Sequence, residues 1–193
     1  RISYQTIEGG DPVGICGSGI IDATATLLEL GLVDDTGAML DSQDDRSQLI
    51  IDTPSGNALC IVASEGHPVY LTHKDVREVQ LAKAAIAAGI RTLLHESGLS
   101  LTDLSAVVIA GGFGSYIDIG NAQRIGLLPP VNPSLIRSVG NAAGQGAVLN
   151  LLDPTAKDAM EQIIHQACYI ELSSSPQFME YYIDEMTFPL ERP

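Results

Sequence analysis

What the sequence lacks narrows its chemistry first. Its three cysteines, Cys16, Cys60 and Cys168, form no CxxC or CxxxxC pair, so neither a zinc site nor an iron–sulfur cluster can be read from them. A sparse, odd count also suits a reducing compartment. Basic residues are scarce: 10 Lys and Arg stand against 24 Asp and Glu, a formal net charge of −14. That balance argues against nucleic-acid partners and against anionic membrane surfaces, because either polyanion repels such a chain. The acidity reads first as a solubilising surface and second as a protein-docking one. No run of 18 apolar residues and no signal peptide is visible, and a soluble, cytoplasmic protein is expected. The first residue is Arg1 rather than methionine, from which a fragment of something longer is expected.

Familiar catalytic constellations are also missing. There is no GxxxxGK[ST] loop, and no strand–GxGxxG–helix unit carries an acid at the spacing a dinucleotide site needs. His67, His73, His95 and His165 show no i,i+4 ligand spacing, so surface and capping roles are favoured for them. Ser18 in CGSGI resembles a nucleophile elbow without its first glycine or a preceding strand. Cys16 reads as a small buried hydrophobe before it reads as a reactive thiol. The acids at 34, 35, 41, 44 and 45 lack a glycine-centred calcium register and read as a solvated loop. Neither a catalytic residue nor a metal ligand is nominated.

What is present is an α/β pattern within 193 residues, 45% of them apolar, enough for one well-buried domain. GICGSGIIDATATLLELG (14–31) reads as a glycine-rich loop feeding a helix, with Ser18 as N-cap and Gly31 as the stop. QLIID, NALCIVA and PVYLT read as a small antiparallel meander over 48–72. Thr72 and Asp75 open the longest helix, about residues 74–96, in a capping-box pattern, and its many alanines keep it thin. SAVVIA (105–110) predicts a buried strand, and Asp118 caps a short helix, IGNAQRI. IRSVG is a strand leading into the helix NAAGQGAVLNLL. TAKDAMEQIIHQA is a further helix, CYIEL a strand, and PQFMEYYIDEM a closing amphipathic stretch.

Glycines cluster where strands or loops meet helices: Gly14/Gly17/Gly19, Gly111/Gly112/Gly114 and Gly140/Gly144/Gly146. Such junctions set backbone N–H groups and a helix N-terminus beside a crevice, where phosphate or ribose oxygens can sit. Taken singly, each cluster reads first as a tight turn or a close helix–sheet contact; taken together, the three bring nucleotide binding level with that reading. Gly111-Gly112 raises the sharpest question, because paired glycines after a β-branched run mean that another molecule or another backbone comes very close.

The run VVIAGGFGSYID resembles the adenosine motif of the actin, sugar kinase and heat-shock chaperone superfamily. Four stretches, in order, resemble more narrowly the C-terminal region of the ATP-dependent reductive activators of corrinoid proteins: GICGSGIIDA, THKDVREVQLAKAAIAAGI, IAGGFGSYIDIGNAQRIGLLP and VGNAAGQGA. The resemblance implies an α/β, actin-like (ribonuclease H-like) lobe with a mixed sheet flanked by helices. Residues 1–193 would be a single domain, the second lobe of an ATPase domain, with 48–72 as an inserted β-meander. It also implies a parent protein with an N-terminal [2Fe–2S] domain, absent from this chain, which binds ATP or ADP with Mg2+ and uses ATP to help return Co(II) corrinoid proteins of methyltransferase systems to Co(I). The implied partners are a corrinoid protein and, for dimerisation, a second copy; nucleic acid and membrane are not among them.

By the same resemblance Gly111, Gly112, Phe113 and Gly114 lie against adenosine, and Gly17, Ser18 and Gly19 lie near the cleft toward phosphate. Gln80 and Lys83 face adenine or ribose, or else form an exposed helix face. Gly140, Asn141 and Gly144 begin the connecting helix at the lobe hinge. The sequence departs from the superfamily pattern in lacking an Asp-x-Gly-Thr phosphate hairpin and any clear second one, so these residues alone are not expected to hydrolyse ATP efficiently. Two other readings stay open: a docking module whose glycines are structural, and a small-molecule kinase with Asp22 or Asp118 as base.

Overall fold

Apolar residues at helical spacing on two segments, brought against a short antiparallel sheet, build the centre of the molecule. The computed structural model describes residues 3–41, 49–64 and 67–190. Helix α1 (Gly17–Glu29) turns Ile21, Ala25 and Leu27 inward. The meander follows as β1 (Ile50–Thr53), β2 (Gly56–Val62) and β3 (Val69–Thr72), paired antiparallel in the order β1-β2-β3. Its Ile50, Leu59 and Leu71 enter the same core as α1, so the strands predicted over 48–72 form a wall of the domain. Residues 42–48 and 65–66, which include Asp44 and Asp45 of the acidic loop, lie outside the described residues.

Helix α2 (His73–Glu96) begins on the predicted capping box. Asp75 N donates to Thr72 Oγ1 at 3.2 Å, and Thr72 N donates back to Asp75 Oδ2 at 2.8 Å. Two orphan amides of the first turn are thereby satisfied. Val76, Val79, Gln80, Lys83, Ala84, Ala88 and Thr92 make one buried stripe at i, i+3 and i+4 spacing. The alanines let neighbours approach closely, and α6 (Pro176–Asp184) packs along this helix.

The second half alternates strand and helix. Strand β4 (Val107–Ala110) pairs in parallel with β5 (Ile136–Gly140), and α3 (Ile119–Arg124) lies between them in sequence. Asp118 caps α3 as predicted, its carboxylate accepting from Asn121 N at 2.8 Å. Gln123 Nε2 donates to the carbonyls of Pro129 and Val131, fixing the LLPP turn. Helices α4 (Ala142–Leu152) and α5 (Ala156–Gln166) follow β5. Both senses of strand pairing are therefore present, in two separate ladders rather than one.

Three local expectations are corrected. The N-cap of α1 is Cys16, not Ser18, because the helix already begins at Gly17 and the Cys16 sulfur accepts from Gly19 N. The strand at 107–110 is not buried: its residues alternate between half-buried and exposed, with Val108 at 49%. CYIEL forms no strand; residues 168–171 are irregular and lead into a 3-10 turn, Leu172–Ser174. Tyr169 there is 84% exposed, so a short apolar run without a neighbouring strand stays unpaired.

Candidate functional site

Parallel strands β4 and β5 deliver their C-terminal ends side by side; β5 ends in Gly140, and Gly111 follows directly on β4. Gly111 N donates to Gly140 O at 2.7 Å, tying the two turns together. Both glycines hold positive φ, +108° and +63°, which explains why neither position tolerates a side chain easily. A 3-10 turn, Phe113–Ser115, follows Gly111-Gly112, and Ser115 lies against Gly140. On the other side Asn141 caps α4, its Oδ1 accepting from Gly144 N at 2.9 Å. The structure therefore brings 111–115 and 140–144 together at the carboxyl ends of the two parallel strands, the end at which open α/β sheets bind ligands.

Each glycine of the turn has its own reason. A Cβ on Gly114 would run into Ile109, and one on Gly144 into the Asn141 amide that caps α4. Those two are glycines because neighbours touch them. Gly112 differs: its φ is not left-handed and a Cβ there would meet nothing within 4 Å. Nothing within the fold requires glycine at 112, and the space over it is open. That is the arrangement a flat ring lying on the backbone needs. The Phe113 side chain lies outside the described residues.

Gly17, Ser18 and Gly19 belong to a different element. They form the first turn of α1, where Gly19 helps line a groove of about 800 Å3 between the 3–14 segment, α1 and the meander, together with Ile7, Val13, Cys16, Asp22 and Ile61. Gly111 and Gly112 are not in its lining. Cys16 is exposed, its sulfur 3.4 Å from Ser18 Oγ and 3.4 Å from Gly19 N. Those two contacts hold its thiol below the ordinary cysteine value, as donors at a helix N-terminus do.

Gln80 and Lys83 form no exposed helix face. Each is 1% exposed. Gln80 Nε2 donates to Thr36 O and Met186 O, both at 3.0 Å, and Lys83 Nζ donates to Thr187 O at 2.5 Å. Lys83 also lies 3.9 Å from Glu185 and 5.8 Å from the centre of the Phe188 ring. Sequence reasoning missed the segment that holds them, residues 184–189, because nothing in its local pattern marks it as core. Asp22 and Asp118, the candidate bases, already serve structure: Asp22 accepts from Asn121 Nδ2 at 2.8 Å, joining α1 to α3, and Asp118 caps α3. Among the described residues no cluster of three or more His, Cys, Asp or Glu is placed to hold a metal ion, and no helix is long and apolar enough to cross a membrane.

Comparison with known proteins bears on this geometry. A family model described as the C-terminal domain of RACo, the ASKHA domain, matches residues 1–193. The chain is 40% identical over 197 residues to the corrinoid activation enzyme RamQ of Eubacterium limosum, an alignment spanning 97% of this chain and 33% of that protein. It is 28% identical over 182 residues to a Co(II) methylated amine-specific corrinoid protein reductase of Methanosarcina barkeri, across 93% of this chain and 30% of the other. A solved reductive activator for corrinoid, iron-sulfur protein superposes with a TM-score of 0.89 at 35% identity, over 98% of this chain and 30% of that one. The chain thus spans about a third of the length of these relatives.

Proposed function

Since the chain belongs to the family of RACo C-terminal ASKHA domains, we propose that it is the nucleotide-binding lobe of an ATP-dependent reductive activator of corrinoid proteins. The observation that carries this reading is the Gly111-Gly112 turn, tied to Gly140 and open above Gly112. Adenosine lies on that turn. Asn141 and the first turn of α4 stand beside it, so nucleotide contacts at the turn reach the connecting helix directly. The residues of this turn would hold the flat, uncharged half of a nucleotide, and ATP with Mg2+, when bound, would supply the triphosphate whose cleavage drives the change of state. Gln80 and Lys83 take no part in this proposal, since main-chain carbonyls hold both. An iron–sulfur cluster, where the activator carries one, lies outside these residues, because Cys16, Cys60 and Cys168 form no cluster motif.

Reduction of Co(II) to Co(I) is uphill, and binding energy from nucleotide and partner can tilt it only through differential affinity for two states of the complex. Closure about the Gly140–Gly144 hinge provides such states. The partner is the corrinoid protein of a methyltransferase system. The test mixes the intact protein with ATP, a low-potential reductant and a Co(II) corrinoid protein while the Co(I) absorbance band is followed. ATP-dependent appearance of Co(I) supports the proposal. Bound ATP with no Co(I) formed sends the reading to a small-molecule kinase on the same fold.

A further inference from the structure

Helix α3 follows the glycine turn closely: residues 113–117 lead from Gly112 to Asp118, the cap of the helix. With six residues it is too short to hold its shape alone, so its neighbours must place it. Ala122 and the C-cap residue Ile125 are buried in the core cluster that also takes Ile21 and Ala25 from α1. Apolar burial is non-directional, however, and leaves the rotation and slide of so short a helix loosely set. Hydrogen bonds, which demand distance and angle, have to set them.

The Gln123 amide bonds the carbonyls of Pro129 and Val131, which follow in the same stretch of chain and travel with the helix. Asn121 reaches 99 residues back instead, its Nδ2 donating to Asp22 Oδ1 of α1 at 2.8 Å. Its Oδ1 accepts from Arg124 Nη1, also at 2.8 Å. A carboxylate only accepts and a guanidinium only donates, so these two partners allow the Asn121 amide a single orientation. The neighbouring Arg124–Glu29 ion pair, at 3.7 Å between partly exposed side chains, adds little.

We infer that Asn121 is a positioning residue for the Gly111-Gly112 turn: its bond to Asp22 sets α3, and through α3 the turn, against α1. The turn is then fixed at both ends, by Gly111 N on Gly140 O and by Asp118 at the start of α3. Asn121 acts through the helix and not on a ligand. What this means for nucleotide rests on the reading proposed above; its hold on the turn does not.

Asn121→Asp tests the inference. It keeps the size and the acceptor for Arg124 but turns a carboxylate against Asp22. Adding Asp22→Asn to N121D restores a donor between the two, with the roles exchanged. In hydrogen–deuterium exchange on the intact protein, the Gly111 and Ser115 amides are expected to exchange about tenfold faster in N121D and within about twofold of wild type in D22N/N121D. The Cys60 amide, which donates to Leu49 O in the meander, is expected to keep its rate in all three proteins. Unchanged rates at Gly111 and Ser115 overturn the inference, and so does a rise that Cys60 shares equally, which marks general loosening. Should N121D fail to fold, Asn121→Ser shortens the reach without adding charge, and the same two rates are expected to rise.

ATP affinity in calorimetry gives a second reading: N121D weakens it about tenfold and D22N/N121D recovers it. A wild-type protein and an N121D variant that bind ATP equally well overturn the inference. A wild-type protein that binds no ATP sinks the nucleotide reading instead, and the exchange rates then decide this inference by themselves.

Discussion

Lys83, midway along α2 and 1% exposed, donates its ammonium to the carbonyl of Thr187, 104 residues later in the chain, at 2.5 Å. Burial holds its amine below the ordinary lysine value, against the opposing pull of Glu185. Just below that ordinary value the unfolded chain binds this proton more fully than the folded one, so stability rises with pH through that window. Urea unfolding across an alkaline pH series should show the wild-type protein gaining on Lys83→Met there. At neutral pH K83M should cost about 1 kcal/mol or less, since it keeps the apolar stem and removes a desolvated charge. Lys83→Ala should cost about 3 kcal/mol, the difference from K83M coming from the cavity left by the missing stem.

The two adjacent glycines should separate cleanly. Gly112→Ala should leave the melting temperature unchanged, within about 0.5 kcal/mol, because its Cβ meets nothing. It should weaken ATP binding about tenfold or more in calorimetry, if adenosine lies on the turn. Gly111→Ala should instead destabilise the fold by about 1–2 kcal/mol, since its φ is +108°. Equal ATP affinity for G112A and wild type would falsify the nucleotide assignment.

Alkylation of Cys16 offers a third check. Its exposed thiol, favoured as thiolate by Ser18 Oγ and Gly19 N, should react with iodoacetamide with a pH midpoint below that of an ordinary thiol. Ser18→Ala should shift the midpoint upward and slow the reaction about threefold near neutral pH, read by mass spectrometry. Cys16→Ser, which keeps a cap oxygen, should leave stability nearly unchanged.

The capping box of α2 is an independent test of stability. Thr72→Ala removes the acceptor for Asp75 N and the hydroxyl that donates to Asp75 Oδ2 at 2.7 Å. A loss of about 1–2 kcal/mol in denaturant unfolding is expected, with Thr72→Ser recovering most of it.

What the sequence made legible was mostly local. Thr72 with Asp75, Asp118 before IGNAQRI, and the turn residues around the meander each announce an element through their own hydrogen bonds. What stayed hidden depends on distant partners. A helix face bearing Gln80 and Lys83 looks polar in isolation, and only the carbonyls of Thr36, Met186 and Thr187 turn it into core. The run CYIEL has strand composition but no strand beside it. SAVVIA has the composition of an inner strand, while the described residues leave one of its edges open. At the site, the glycine turns could be read from the sequence, whereas the bond joining Gly111 to Gly140 could not, because it depends on parallel register.

The reach of the Lys83–Thr187 contact also sets an order of events during synthesis. At roughly 5–20 residues per second, synthesis of α2 is complete about 5–20 seconds before Thr187 is made. Until Met186 and Thr187 are made, Gln80 and Lys83 lack carbonyls that hold them in the folded domain. Asp35 O likewise waits for Phe188, whose N–H reaches it at 2.8 Å. A ribosome stalled before that point therefore presents an unfinished domain to the cell's quality control, however much of the domain has already emerged.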